Sequence, residues 1–160
     1  MNYHPVVNQI LQLIKTNNFW HETFEHEPVL TSEEAAKVRT GYTLEQGAKA
    51  LIVKIDDSKD TFAMFVLPGD LKLDSKKIRQ NLGIKKFRFA TEEELGQVTN
   101  GVERGGVPPF GNIFNLKTYA DKRLFEMEKI IFNAGDRRFS IAMNSKDYQT
   151  IVKPEIVEIA

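Results

Sequence analysis

The chain has 160 residues, with 22 Lys and Arg against 22 Asp and Glu and no cysteine. That length fits one domain burying about 70% of its unfolded surface, and the missing thiols exclude a disulfide framework, a thiol nucleophile and a cysteine metal site. A net charge of zero argues against sequence-independent binding of long nucleic acids, and with no basic stretch before an apolar N-terminal run and no apolar run near a membrane span, a soluble cytoplasmic protein is expected.

Val6, Val7, Ile10, Leu11 and Ile14 recur at helical spacing, which predicts an amphipathic helix from about Pro5 to Thr16, ended by Asn17 and Asn18. Phe19 to Glu27 alternates in part and reads as an exposed or edge strand that stops before Pro28. Thr31-Ser32-Glu33-Glu34 fits a capping box for a short helix through Ala35, Ala36 and Val38, ending near Gly41. A polar connection from Gly41 to Gly47 leads to a buried strand over Ala48 to Ile55. A hairpin loop from Ile55 to Thr61 then joins it to a second buried strand, Phe62 to Leu67. Asp74 caps a helix that sets Ile78 and Leu82 inward and ends at Gly83, Lys85 to Ala90 is a strand, and Thr91 to Glu94 opens a helix that stops by Asn100. Ile113 to Tyr119 reads as a strand and Asp121 to Phe125 as a turn or short helix. Lys129 to Phe132 and Phe139 to Met143 read as paired strands across a loop of Asn133 to Arg138. Asn144 and Ser145 cap a last helix, and Ile156 to Ile159 adds a strand. This order predicts an α+β fold in a single domain over 1–160, a curved mixed sheet or partial barrel flanked by helices, with residues 1–25 supplying an N-terminal helix and strand.

Two stretches carry candidate chemistry. In the Ala48–Ile55 strand a period of two puts Lys49, Leu51, Val53 and Ile55 on one face and Ala48, Ala50, Ile52 and Lys54 on the other, and both faces are mostly apolar. The Lys49 ammonium therefore either snorkels to water over Leu51 or reaches a partner in a cleft, because unpaired buried charge is costly. The second stretch is Gly105-Gly106-Val107-Pro108-Pro109-Phe110-Gly111. Its glycines permit close approach of a ligand to backbone amides and its prolines stiffen the loop, so it is either a plain rigid connection or a concavity for a phosphate or developing oxyanion. Seven basic residues between Lys72 and Arg88, with Asp74 the one acid among them, fit a solvated face or a local patch for an RNA backbone. His4, His21 and His26 are scattered, which predicts no metal and no metal cofactor.

The ordered set His26-Glu27-Pro28-Val29, Thr31 to Ala36, Lys49 in its strand, Leu67-Pro68-Gly69-Asp70, Lys85 to Ala90, Gly105 to Gly111 and Asn133-Ala134-Gly135 resembles the YbaK and prolyl-tRNA synthetase editing-domain family from His26 to the C-terminus. The resemblance implies a free-standing trans-editing hydrolase without cofactor. It would deacylate mischarged aminoacyl-tRNA, Cys- or Ala-tRNA(Pro) first, with help from the substrate's ribose hydroxyl. It implies catalytic roles for Lys49, Gly105 and Gly106, with Lys49 engaging the tRNA acceptor end. It further implies a substrate pocket bordered by His26, Ala50, Val107, Pro108, Pro109, Phe110, Asn133, Gly135 and Ser140. Partners would be a tRNA carrying a wrong amino acid and, for delivery, an aminoacyl-tRNA synthetase, with no membrane. Ala50 stands where members commonly carry threonine or asparagine, and Pro108 precedes the usual Pro109.

The residues alone agree with this chemistry, since an aminoacyl ester is already activated and a site that positions water and holds the oxyanion suffices. Two other readings stand beside it. One is a non-catalytic tRNA- or synthetase-binding adaptor of the same fold, which the polar loss at Ala50 favours; the other is a hydrolase of a different small ester or amide.

Overall fold

The computed structural model of the protein describes residues 2–56 and 61–160; most of the hairpin loop expected after Ile55 lies outside the described residues. The chain begins with α1 (Pro5–Thr16), where the imidazole of His4 accepts the Val6 amide and Val6, Val7, Ile10 and Ile14 turn inward. An edge strand β1 (His21–Glu25) follows, then α2 (Ser32–Val38), capped by the Thr31 hydroxyl, which accepts from the Glu34 amide. The reciprocal half of that expected box differs: the Glu34 carboxylate takes the Thr31 hydroxyl rather than its backbone amide. The polar connection to Gly47 also holds more order than its composition suggests. It folds a 3-10 turn over Leu44–Gln46 in which the Gln46 side-chain oxygen accepts the Thr43 amide.

Next come β2 (Ala48–Ile55), β3 (Phe62–Pro68), α3 (Ser75–Leu82), β4 (Phe87–Phe89) and α4 (Glu92–Thr99). Asp74 and Thr91 cap the two helices as expected, and Thr91 with Glu94 completes a reciprocal box. The stretch expected as a strand over Ile113 to Tyr119 is instead a 3-10 turn, Gly111–Phe114, followed by β5 (Lys117–Asp121). Asn115 breaks the run by adopting the left-handed region at φ 57°, which asparagine tolerates better than most residues. A further 3-10 turn, Lys122–Glu126, is capped by Asp121.

The paired strands are β6 (Lys129–Asp136) and β7 (Phe139–Asn144), and the connection between them is shorter than expected. Asn133 to Asp136 belong to β6 because a register shift between Asn133 and Asp136 absorbs the irregular residues inside the ladder. Gly135, at φ +110°, supplies the conformation that shift needs. The chain closes with α5 (Ser145–Val152) and β8 (Glu155–Val157). Asn144 occupies the cap position of α5 without a side-chain capping bond, and the Ser145 hydroxyl donates to Met127 O instead.

The strands form two sheets, one antiparallel in the order β1-β7-β6 and one mixed in the order β4-β2-β3-β5-β8. Among the described residues they do not close into a barrel, although a parallel bridge between Gly47 and Ile131 ties β6 to the entry of β2. The larger core cluster takes Ala48 and Ile52 from one face of β2 together with the inner side of α1, and the smaller takes Val53 from the other face with Ile78 of α3. Both faces of β2 are therefore covered, as its sequence predicts. Among the described residues no helix is long and apolar enough to cross a membrane.

Candidate active site

The entry of β2, the end of α2, the turn at Gly105 and β6 converge on a cavity of about 390 Å³, whose lining includes Lys49, Ala50, Gly105, Val107 and Asn133. That volume falls in the ordinary range for small-molecule sites. Lys49 sits opposite Leu67 in the β2–β3 ladder and is half-buried. Among the described residues no acceptor lies within hydrogen-bonding or ion-pair reach of its ammonium. Burial pushes the ammonium below the ordinary lysine range, Glu33 and Asp70 pull it back through space, and Lys72 pushes it down further.

Gly105 adopts φ +88°, and a Cβ there would stand 3.2 Å from both Cδ1 and O of Leu30. Glycine thus lets the turn pass beneath Leu30, which is 54% exposed. Phe89, 59% exposed, also lines the cavity, so two exposed apolar side chains border it. Arg104 is exposed and lines it as well.

Behind this wall runs a buried polar network. Asn133 Nδ2 donates to Gly105 O at 2.6 Å, which ties the turn to β6. Arg39 Nε donates to Ser140 Oγ and Arg39 Nη2 to Asn133 Oδ1, each at 3.0 Å. Ser140 Oγ lies 3.1 Å from Asn133 Oδ1 and 2.7 Å from His26 Nε2, while His26 Nδ1 meets Glu27 O at 2.8 Å. The single serine proton goes to Asn133 or, when His26 carries its ring proton on Nδ1, to His26 Nε2. Ser140 is fully buried and Arg39 is 6% exposed. Burial pushes the Arg39 guanidinium down to about 10, still protonated at neutral pH.

The structure brings together some of the residues singled out in the sequence and separates others. Lys49, Ala50, Gly105, Val107 and Asn133 line the cavity; Ser140 stands one hydrogen bond behind it and His26 two, through Ser140. The Gly106 amide donates to Glu103 O and the Gly106 carbonyl accepts from the Gly135 amide, so that amide is already engaged rather than aimed at a ligand. Pro108, Pro109 and Phe110 are buried away from the lining: Phe110 packs on Phe132 and Tyr148, and Pro109 O accepts the Tyr148 hydroxyl. Gly135 packs against Val6 of α1.

Arg39 is the residue that sequence reading missed. A lone arginine after a short capped helix looks like a cation placed on a C-terminal turn, and its burial depends on Ser140, 101 positions away. The basic run divides: Lys72 acts on Lys49, Lys77 donates to Ala160 O, and Arg88 makes a paired bond to the Glu94 carboxylate.

Residues 26–151 match the model of the family described as aminoacyl-tRNA editing domain. The chain is 34% identical over 134 residues to the multifunctional Ser/Thr-tRNA deacylase ProXp-y of Escherichia coli (strain K12), covering 82% of this chain and 79% of that protein. It is 26% identical over 133 residues to the prolyl-tRNA editing protein ProX of Acetoanaerobium sticklandii, covering 81% and 79% of the two. A crystal structure described as a candidate trans-editing enzyme for prolyl tRNA synthetase superposes with a TM-score of 0.80 at 24% identity, over 99% of this chain and 98% of the other.

Proposed function

The chain belongs to the aminoacyl-tRNA editing domain family, and we propose that it is an aminoacyl-tRNA deacylase that hydrolyses the ester between a wrong amino acid and the terminal ribose of a tRNA. The observation that carries this reading is the cavity shared by Lys49, whose ammonium has no contact partner among the described residues, and the Gly105 turn. Lys49 is a compact charge suited to a phosphate of the acceptor end. Phe89 and Leu30 offer apolar surface at the mouth, where a base can stack on an aromatic ring.

Water forms a bond to the acyl carbon, the ester C–O bond breaks, and a proton reaches the departing ribose oxygen; the neighbouring ribose hydroxyl is the proposed relay. This route needs no nucleophilic side chain, and the Gly105 turn together with the donors around it serves the developing oxyanion. Gly106 braces the turn through its bonds to Glu103 and Gly135 rather than donating to substrate. His26 and Ser140 hold Asn133 and, through it, Gly105.

The acyl group is small. Alanine or cysteine on a prolyl tRNA remains the first reading, and the printed name of the Escherichia coli relative adds serine and threonine. A pocket of this kind separates acyl groups that differ by a methylene or hydroxyl by only about 1–3 kcal/mol, so a spread of substrates is expected.

The test is a deacylation screen over a matrix of amino acids and tRNAs, run with and without prolyl-tRNA synthetase to ask whether a synthetase delivers the substrate. Wild type releases amino acid from at least one mischarged tRNA, and Lys49→Ala loses that turnover while keeping the same thermal unfolding. Equal turnover by Lys49→Ala sinks the role of the lysine. Binding without hydrolysis across the whole matrix selects the adaptor reading that Ala50 favours, and hydrolysis of free aminoacyl esters with no RNA dependence selects a different esterase.

A further inference from the structure

The cavity wall contains a cation that its own packing does not account for. Arg39 is 6% exposed, and the two groups that hold it, Ser140 Oγ and Asn133 Oδ1, are both neutral. Among the described residues no carboxylate comes within ion-pair distance of it. A buried guanidinium without a counter-charge is destabilising, and an apolar side chain of similar volume would fill the space at lower cost. The charge is therefore explained by something that enters the cavity.

The geometry points the same way. Nε and Nη2 are each fixed by a hydrogen bond, and because the guanidinium is planar these two bonds also fix the direction of the Nη1 donors. Nη1 has no protein acceptor among the described residues, yet it is not one of their buried orphaned atoms, and Arg39 lines the cavity. Gly47 lies beside it. A Cβ at Gly47 would stand 3.6 Å from Nη1 and 3.2 Å from Leu44 O, so glycine keeps this approach clear. Asn133 braces Arg39 and the Gly105 carbonyl at once, which fixes the guanidinium relative to the turn.

We propose that Arg39 is a catalytic residue, whose Nη1 donates to an anionic oxygen of the bound aminoacyl terminus. The oxygen is either the oxyanion that develops on the ester carbonyl or a phosphate oxygen of the terminal nucleotide. The proposal rests on the deacylase reading. A donor held in advance by two bonds costs little to align when charge appears, and loss of one such donor typically costs about 100-fold or more in turnover.

Arg39→Gln and Gly47→Ala are compared with wild type on a mischarged tRNA and on an aminoacyl-adenosine that lacks phosphate, with thermal unfolding recorded for each. Arg39→Gln removes Nη1; Gly47→Ala leaves the bonds to Ser140 and Asn133 in place and crowds the approach to Nη1. Both are expected to lose turnover, Arg39→Gln by about 100-fold, and guanidinium ion added to Arg39→Ala is expected to restore part of the lost rate. An equal fall in kcat on both substrates assigns the ester oxygen, whereas a rise in KM confined to the tRNA assigns the phosphate. Wild-type kinetics in Arg39→Gln overturn the proposal, as does a loss that tracks unfolding with Gly47→Ala fully active and no guanidinium rescue. If wild type hydrolyses nothing, the deacylase reading has failed separately. Affinity for a non-hydrolysable amide analogue of aminoacyl-adenosine 5'-phosphate then decides: a weaker complex with Arg39→Gln supports the contact, and equal affinity overturns it.

Discussion

Lys49 stands in a field of mixed sign. Burial lowers its proton affinity, Glu33 and Asp70 raise it, and Lys72 lowers it. An ammonium that grips phosphate works only while protonated, so activity is expected to fall on the alkaline side as pH rises through the depressed Lys49 pKa. Glu33→Gln removes a group that favours the ammonium, the pKa drops further, and the alkaline limb of kcat/KM moves to lower pH. Lys72→Ala removes a like charge and moves the limb the other way. A pH–rate profile of the two variants checks both signs, and a limb that stays put in both assigns the titration to another group. The sequence flagged Lys49, because a lysine inside an apolar strand demands an explanation, but left open whether it snorkels to water or meets a cleft; the structure sets it on the cavity. Asn133 entered through the family resemblance alone and reads locally as a turn residue. Arg39 was illegible, because nothing local to Val38-Arg39-Thr40 says that a serine about a hundred residues later will bury it.

Elements with their own punctuation were read almost to the residue. α1, α3 and α4 carry their start and stop signals locally, and β2 its apolar run, so Asp74, Thr91, Gly83 and Asn100 end where the chemistry of caps says they should. Errors fell where pairing decides: β6 runs on through Asn133 and Gly135 because β7 lies beside it, and Ile113 and Phe114, read as the start of a strand to Tyr119, belong to the turn at Gly111–Phe114. The end of β5 shows the same dependence on distant partners. Asp121 is fully buried, and its carboxylate accepts from the amides of Arg123, Ile159 and Ala160 and from Arg123 Nε. Burial pushes that carboxyl up, but the amides and the guanidinium outweigh it and hold it below the usual carboxylate range. Asp121→Asn is expected to cost about 3 kcal/mol, measured by urea unfolding at neutral pH. The contribution of a carboxyl with a depressed folded pKa is complete above its unfolded value of about 4 and disappears as pH falls through the folded one. The gap between variant and wild type should therefore narrow in acid, and a gap independent of pH would assign it to packing rather than charge.

At the scale of the whole molecule the open issue is the status of residues 1–25, which precede the family match at residue 26. We propose that they belong to the same folding unit. Val6, Val7, Ile10 and Ile14 are buried in the larger core cluster, and burying each such side chain contributes about 1.5–3 kcal/mol. Their sum, roughly 6 kcal/mol or more, matches the entire stability of many domains, about 5–15 kcal/mol. Docking is specific as well as apolar. Gly135 stands at φ +110°, and a Cβ there would meet Val6 Cγ1 at 2.9 Å, so Gly135→Ala combines backbone strain of about 1–3 kcal/mol with a steric push on α1. A chain starting at residue 19 is expected to lose cooperative unfolding in circular dichroism, and Gly135→Ala to keep it at a lower midpoint. Because β6 carries both Gly135 and Asn133, loosening α1 also loosens the bond from Asn133 to Gly105, so Gly135→Ala should lose turnover below its unfolding midpoint. A truncated chain that unfolds as sharply as the full one would make the first helix an appendage and break that link.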